Sequence, residues 1–422
     1  DESKESFKFV VPDEMRRRYP DVIDLVRNSE SIDNNEKQYW YDIMPRMTEE
    51  QVGRLRTILE TERRQLQELN AKYNEEIKKL NQKHRDQFFL NPSLPALRLE
   101  TGSHLSSILA LDTDSKGEYF VTAGRDKTAR VWRLADGALH QVLRVPIAPG
   151  HEGMLHSVAI HPTLPIVAVG GVTTLGAETN DRAVVYLMAR DGGEILAPLV
   201  VNGTIWQLRF IAGGEYVVAA ISGGRAEIWR TSDRTRVAEM SDCLRIYFRG
   251  GDASEFLVVG RDTIRLVEVV AGRVSDRVTV PRQTFPGDDF SVAFSPDGTQ
   301  FLIGDDAARV WRASARDLTV QGVGLYVDAP GVRGVPAMTW TSRDEVLLSY
   351  SHPASGKAPL LDGSIGGQTR LVAELREAVS QMKLLPDGRV LGASAEPIVG
   401  LYLPGGTWKT LVQRSGPYPD SE

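Results

Sequence analysis

The stretch "YFVTAGRDKTARVWRLADG", Tyr119 to Gly137, decides the fold. It holds an apolar run, a turn at "GRDK", a second run ending at Trp132 and a second turn at "LADG". Short apolar runs of this length, bounded by Gly and Asp, are strand-and-turn sequence. The pattern then recurs. "TARVWRLADG" returns as "AVVYLMARDGG", "AEIWRTSDRT", "IRLVEVVAGR" and "ARVWRASARD". Trp132, Tyr186, Trp229, Val267 and Trp311 mark one equivalent strand, and two degraded copies follow near Leu360 and Tyr402. The six steps from Trp132 to Tyr402 average about 45 residues. A period of about 40–45 residues with four strands in each copy is the mark of a β-propeller.

Other stretches agree. "GHEGMLHSVAIHPTLPIVAVGG" and "DDFSVAFSPDGTQFLIGDD" share an apolar strand, a Pro-containing turn and a second strand ending in small residues, and "LLPDGRVLGAS" repeats the turn. Phe290, Val292 and Phe294 alternate at the period of a strand. The small residues after each second strand are expected at the crowded centre of the ring.

Residues 97 to about 415 resemble the WD-repeat (WD40) β-propeller family, on motifs best kept in the first blade. His104 stands at the family's Gly-His histidine, with Ser103 for the glycine; Asp126 lies in the turn; Trp132 takes the Trp, and Arg133 replaces the Asp of the pair. Thr122 supplies a hydroxyl. The resemblance implies a hydrogen-bonded chain from the Trp132 indole through Thr122 and His104 to Asp126. Buried polar groups of these kinds are tolerable only when each is partnered. Other blades depart from the pattern. Blade two has Gly150-His151 and Asn180-Asp181 but Tyr186; blade three keeps only Trp229; blade five keeps Asp305 and Trp311 without a histidine. More narrowly, "LRLETGSHLSSILALDTDSKGEYFVTAGRDKTARVWRLADG" with "PGHEGMLHSVAIHP" resembles repeat regions of multidomain bacterial signalling and defence proteins. That implies a sensor or regulatory part working beside a caspase-like or ATPase effector, no catalytic part of which is identifiable here.

Seven blades are expected, at about 103–146, 151–200, 202–240, 241–280, 281–323, 324–375 and 376–416. The segment 91–102 is a linker whose stretch Ala96 to Thr101, "ALRLET", is the candidate strand for closing the ring on the last blade, and 417–422 is a tail. Closure removes free sheet edges.

The first 90 residues are of another class. They hold one of the 38 glycines, Gly53, and 36 of these 90 are charged against 70 of the remaining 332. Scarce glycine and abundant charge suit helices with solvated faces. Pro20 can open one helix, Pro45 ends another, and Thr48 with Gln51 forms a capping box before a long amphipathic helix over about 48–84. Its heptad places Val52, Leu59, Leu66, Tyr73 and Leu80 at one position, with Leu55 and Leu69 at the other, interrupted by Glu62 and Glu76. This partly coiled-coil-like stripe needs a partner: the preceding short helices, a second copy of the chain, or another protein.

The net charge of -6 disfavours a general nucleic-acid or anionic-membrane surface, and no apolar run approaches a membrane span. The single cysteine, Cys243, fits a reducing, cytoplasmic compartment and is expected to be a small core residue. There is no phosphate loop, no H-E-x-x-H, no G-x-S-x-G and no zinc-ligand spacing. No metal and no cofactor is expected; His151, His156 and His161 are taken as one structural histidine and two at the surface or a strand end. Positions facing the channel read as small or apolar, which disfavours a propeller hydrolase, so no enzyme is expected. Arg125, Arg182, Arg225 and Arg261 sit at or beside turns between second and third strands, which gather on one face. They are either a ring for anions or acidic peptide, or caps on loop acids such as Asp126, Asp181 and Asp262. The expected function is a non-enzymatic protein-interaction scaffold. Its propeller face binds a partner, and its N-terminal helices serve assembly, including self-association.

Overall fold

Short apolar runs joined by tight turns pair with their sequence neighbours in antiparallel fashion. In the first blade these runs are β1 (Ile108–Thr113), β2 (Tyr119–Gly124), β3 (Thr128–Arg133) and β4 (Leu139–Arg144), lying in the order β1-β2-β3-β4. Six further four-stranded sheets follow over 155–201, 205–241, 245–281, 290–326, 333–375 and 379–412, each in chain order. The fold is a seven-bladed β-propeller with an N-terminal helical region. These observations come from a computed structural model, which describes residues 9–29, 32–89, 102–147, 150–173, 182–250, 254–287, 290–326, 333–351 and 356–413. The proposed closing strand Ala96 to Thr101 lies outside them, as do Asn180, Asp181 and the tail. The last blade draws all four of its described strands from 379–412.

First strands are innermost, because β1 contacts the first strands of blades 2 and 7, and most of the others contact their neighbours in turn. This corrects the reading of the small residues. Gly124 and Gly171 end second strands, which are not innermost, and their size answers a local backbone approach. A Cβ on Gly124 would lie 2.6 Å from the Ser107 carbonyl oxygen, and one on Gly171 2.1 Å from that of Met154. In both blades the chain entering the first strand crosses the end of the second.

Each junction between blades has its own apolar core. Val131 and Leu143 of blade 1 pack with Val169 and Tyr186 of blade 2. The same arrangement repeats around the ring to Val379 and Tyr402, where blade 6 meets blade 7. The ring closes where Ile108, Phe120, Trp132 and Leu134 of blade 1 share a core with Leu391, Leu401 and Val412 of blade 7.

A polar contact also crosses every junction. The Ile160 amide donates to Asp112 at 3.1 Å, the Leu208 amide to the Ser157 hydroxyl at 2.7 Å, and the Ile246 amide to the Gln207 side-chain Oε1 at 2.8 Å. The Tyr247 hydroxyl donates to the Phe290 carbonyl at 2.5 Å and the Ser291 hydroxyl to the Val335 carbonyl at 2.6 Å. The Val379 amide donates to the Ser349 hydroxyl at 2.9 Å, and Lys383 Nζ lies 3.1 Å from Asp112, joining blade 7 to blade 1.

The chain divides into two compact units, Asp1–Lys79 and Leu80–Glu422. In the first unit the helices are α1 (Asp13–Arg18), α2 (Pro20–Asn28), α3 (Asn34–Ile43) and α4 (Glu49–Phe89), the last continuing into the second unit. Thr48 caps α4 reciprocally with Gln51: the Thr48 amide donates to the Gln51 side chain at 2.8 Å, and the Gln51 amide to the Thr48 hydroxyl at 3.3 Å. Val52, Leu55 and Leu59 are buried with Val22, Ile23, Val26 and Tyr41, so this part of the stripe packs on the short helices. Glu62, which interrupts the stripe, accepts from the Ser29 hydroxyl at 2.9 Å. The side chains of Leu66, Leu69, Tyr73, Glu76 and Leu80 lie outside the described residues. Among the described residues, no helix is long and apolar enough to cross a membrane.

Candidate binding face

Strands alternate in direction, so every turn between second and third strands and every connection to the next blade lies on one face of the ring. The four arginines fall on this face at the same step of four successive blades. Arg125 lies between β2 and β3, Arg182 immediately precedes the third strand of blade 2 (Ala183–Ala189), Arg225 begins that of blade 3 (Arg225–Arg230), and Arg261 precedes that of blade 4 (Thr263–Val270). Arg125, Arg182 and Arg261 are exposed. Arg225 is partly engaged: its guanidinium donates to the Asn202 carbonyl at 2.7 Å and lies 3.7 Å from Glu239. Among the described residues Arg125 and Arg261 make no ion pair, and the Asp126 carboxylate is taken by other groups.

One of those groups is His104, and the fold brings together all four polar residues of blade 1. Trp132 Nε1 donates to Thr122 Oγ1 at 2.8 Å; Thr122 Oγ1 lies 2.7 Å from His104 Nε2; and His104 Nδ1 lies 2.9 Å from Asp126 Oδ2. Asp126 also accepts from the Leu105 amide at 3.0 Å and the Thr128 hydroxyl at 2.8 Å. Burial alone would raise the Asp126 carboxyl, but the His104 hydrogen bond and charge reverse this and hold it below the usual range.

Blades 3 and 5 replace this chain with shorter ones; the sequence reading keeps Asp305 and Trp311 in blade 5 and misses Glu227 of blade 3. The Trp229 indole donates to Glu227 at 3.1 Å, and the Trp311 indole to Asp305 at 2.8 Å. Glu227 is fully buried, and that burial pushes its carboxyl up. A carboxylate two residues before a tryptophan in one strand shares its face, which is the signal in "AEIW".

The histidines separate. His161 is buried, and its Nδ1 accepts from the Thr163 and Leu164 amides at 3.2 and 3.0 Å. His151 is exposed, although it stands four residues before its strand as His104 does. His156 stacks on Trp206, with ring centroids 4.7 Å apart, and burial, then Arg125 and His151, lower its pKa. No group of His, Cys, Asp and Glu among the described residues is arranged to hold a metal.

The expectation of small or apolar channel positions needs correction. First strands carry a charged cluster: Asp112 of blade 1, Arg209 of blade 3 and Lys383 of blade 7. Arg209 and Lys383 both pair with the buried Asp112 carboxylate. Burial alone would raise that carboxyl, but the two cations outweigh it and hold it low. Lys383 is pushed down to about 8, first by burial and then by Arg209. These partners lie 97 residues apart in the case of Asp112 and Arg209, and no local pattern announces them.

The WD domain, G-beta repeat family model matches residues 97–133, the blade that holds His104, Thr122, Asp126 and Trp132. No curated protein matches the chain. Propellers of the WD40 kind are generally protein-interaction scaffolds and typically non-enzymatic. The match spans one repeat, in a ring of seven four-stranded blades.

Proposed function

We propose that this chain is a non-enzymatic protein-interaction scaffold whose partner binds the face carrying Arg125, Arg182, Arg225 and Arg261. The observation that carries the reading is their placement at one equivalent turn of four successive blades. Exposed apolar side chains lie among them on the same face: Leu105 is 47% exposed, Leu244 48% and Trp206 51%. Arginine and tryptophan are the residues that most often anchor protein interfaces.

The organisation proposed is a helical region to residue 90, a linker and closing strand over 91–102, the propeller over 103–416 and a tail. Val52, Leu55 and Leu59 are covered within their own unit. Self-association is therefore assigned to the later stripe, Leu66, Leu69, Tyr73 and Leu80. A cytoplasmic setting is proposed on the single cysteine, Cys243, which can form no intrachain disulfide and lies buried in the core.

The test is capture of cellular partners by the full chain, by the four-arginine charge reversal R125E/R182E/R225E/R261E and by R234E/R316E. The latter pair lies in turns between third and fourth strands, on the opposite face. Loss of the same partner only in the four-arginine variant is expected. Equal capture by all three proteins contradicts the assignment of the face.

A further inference from the structure

First strands line the centre of the ring, and three of their side chains meet there although they come from blades 1, 3 and 7. Asp112 stands on β1, Arg209 on the first strand of blade 3 (Ile205–Ile211) and Lys383 on that of blade 7 (Val379–Leu384). Blade 2 lies between blades 1 and 3, so Arg209 and Asp112 meet on the inner side of the ring. Both cations take the same oxygen. Arg209 Nη1 and Lys383 Nζ each pair with Asp112 Oδ1, the latter at 3.1 Å, while Oδ2 accepts from the Ile160 amide. Two donors on one acceptor stand no further apart than two hydrogen-bond lengths, roughly 6 Å.

Two positive charges this close repel, and one carboxylate offsets only one of them. Asp112 is the single acid on the seven first strands. Connections at either mouth of the channel carry further acids, but none of those described pairs with Arg209 or Lys383. The crowding shows in Lys383, pushed down to about 8 by burial and then by Arg209. Donors are left over as well. A guanidinium has five N–H groups and an ammonium three. Arg209 gives only Nη1, so its side-on edge, Nε with Nη2, bonds to none of the described residues. Lys383 pairs with no described residue but Asp112. The two side chains stay 21% and 26% exposed, so these donors are reached from the channel.

We propose that this cluster binds a small organic monocarboxylate inside the channel. Its carboxylate lies against the side-on edge of Arg209 and the Lys383 ammonium, so that two anions face two cations. A planar carboxylate meets a guanidinium edge with two oxygens, which chloride cannot do. Its single charge completes the neutralisation, which a phosphate dianion would overshoot. The site is separate from the arginine-bearing face and does not depend on the partner proposed there.

The experiment titrates the full chain with acetate labelled at its carboxyl carbon and follows the carbon-13 resonance. Sodium chloride and inorganic phosphate are the competitors, at matched ionic strength. Saturable acetate binding by wild type is expected, with both competitors displacing it only weakly. K383M keeps the pair of Arg209 with Asp112 and is expected to bind acetate roughly tenfold more weakly, while K383R stays near wild type. D112N removes the internal counter-ion and is expected to bind acetate several-fold more tightly, the opposite of what damage to the fold would give. Should D112N fail to fold, K383M against K383R decides. Absence of saturable acetate binding by wild type overturns the proposal. So does binding by K383M as tight as by wild type, by K383R as weak as by K383M, or by folded D112N no tighter than by wild type. Displacement by chloride or phosphate at concentrations equal to that of acetate overturns the assignment to a carboxylate.

Discussion

His104 shows how little freedom a buried polar residue has. It is 1% exposed and engages both ring nitrogens, on Thr122 and Asp126. We propose that the four residues act as an internal strut for blade 1. Replacing His104 with Ala leaves the Asp126 carboxylate without its main partner, and urea unfolding is expected to show a loss of about 3 kcal/mol. Trp132→Phe removes the indole N–H and leaves a cavity where the larger buried ring stood, and is expected to cost about 2–3 kcal/mol. A His104→Ala protein as stable as wild type would refute the strut. The surroundings of His104 are legible in sequence because a Gly-His-like entry, a turn acid and a tryptophan each leave a mark at fixed spacing. Glu227 leaves a weaker mark, one acid inside an apolar strand. Asp112, Arg209 and Lys383 leave none, since three separate blades bring them together.

At the scale of the element, strands and turns were legible because their signals are local: a period of two, and turn residues that break it. What each position is for was less legible. Gly124 and Gly171 looked like residues at a crowded centre, yet they answer a backbone crossing that only the paired sheet reveals. A side chain at Gly171 has no room beside the Met154 carbonyl, so Gly171→Val is expected to lower the melting temperature sharply and to loosen blade 2 first. Hydrogen exchange along the blade's second strand (Ile166–Gly171) reads this out, and unchanged protection would contradict it. In the helical unit, the stripe on α4 was visible in the heptad, but its partner was not, because a heptad does not say what covers it. Leu59, 3% exposed, packs on α2 and α3. Leu59→Ala is expected to cost that unit about 2–4 kcal/mol, seen as faster exchange in α2 and α3. Exchange rates equal to wild type would place the stabilising contact elsewhere.

For the whole molecule, the repeat period announced the ring, while its closure was anticipated in a segment that lies outside the described residues. Among the described residues, closure runs through the core shared by blades 1 and 7 and through Asp112, which joins blades 1, 3 and 7. Its carboxyl is held below the usual range, so the unfolded chain binds the proton more readily. The stabilisation is therefore complete above the ordinary carboxylate range and is lost as pH falls through the folded value. Asp112→Asn is expected to cost about 3–5 kcal/mol at neutral pH, because two cations lose their partner, and to flatten the dependence of stability on pH in the acid range. An unaltered acid profile would remove Asp112 from the closure. The central claim is that one face of this ring is where a partner docks. Amide hydrogen exchange of the full chain, alone and with its captured partner, tests it most directly. Gained protection is predicted at the turns around Arg125, Arg225 and Arg261. Protection confined to the opposite turns around Arg234 and Arg316, or to the helices, would contradict it.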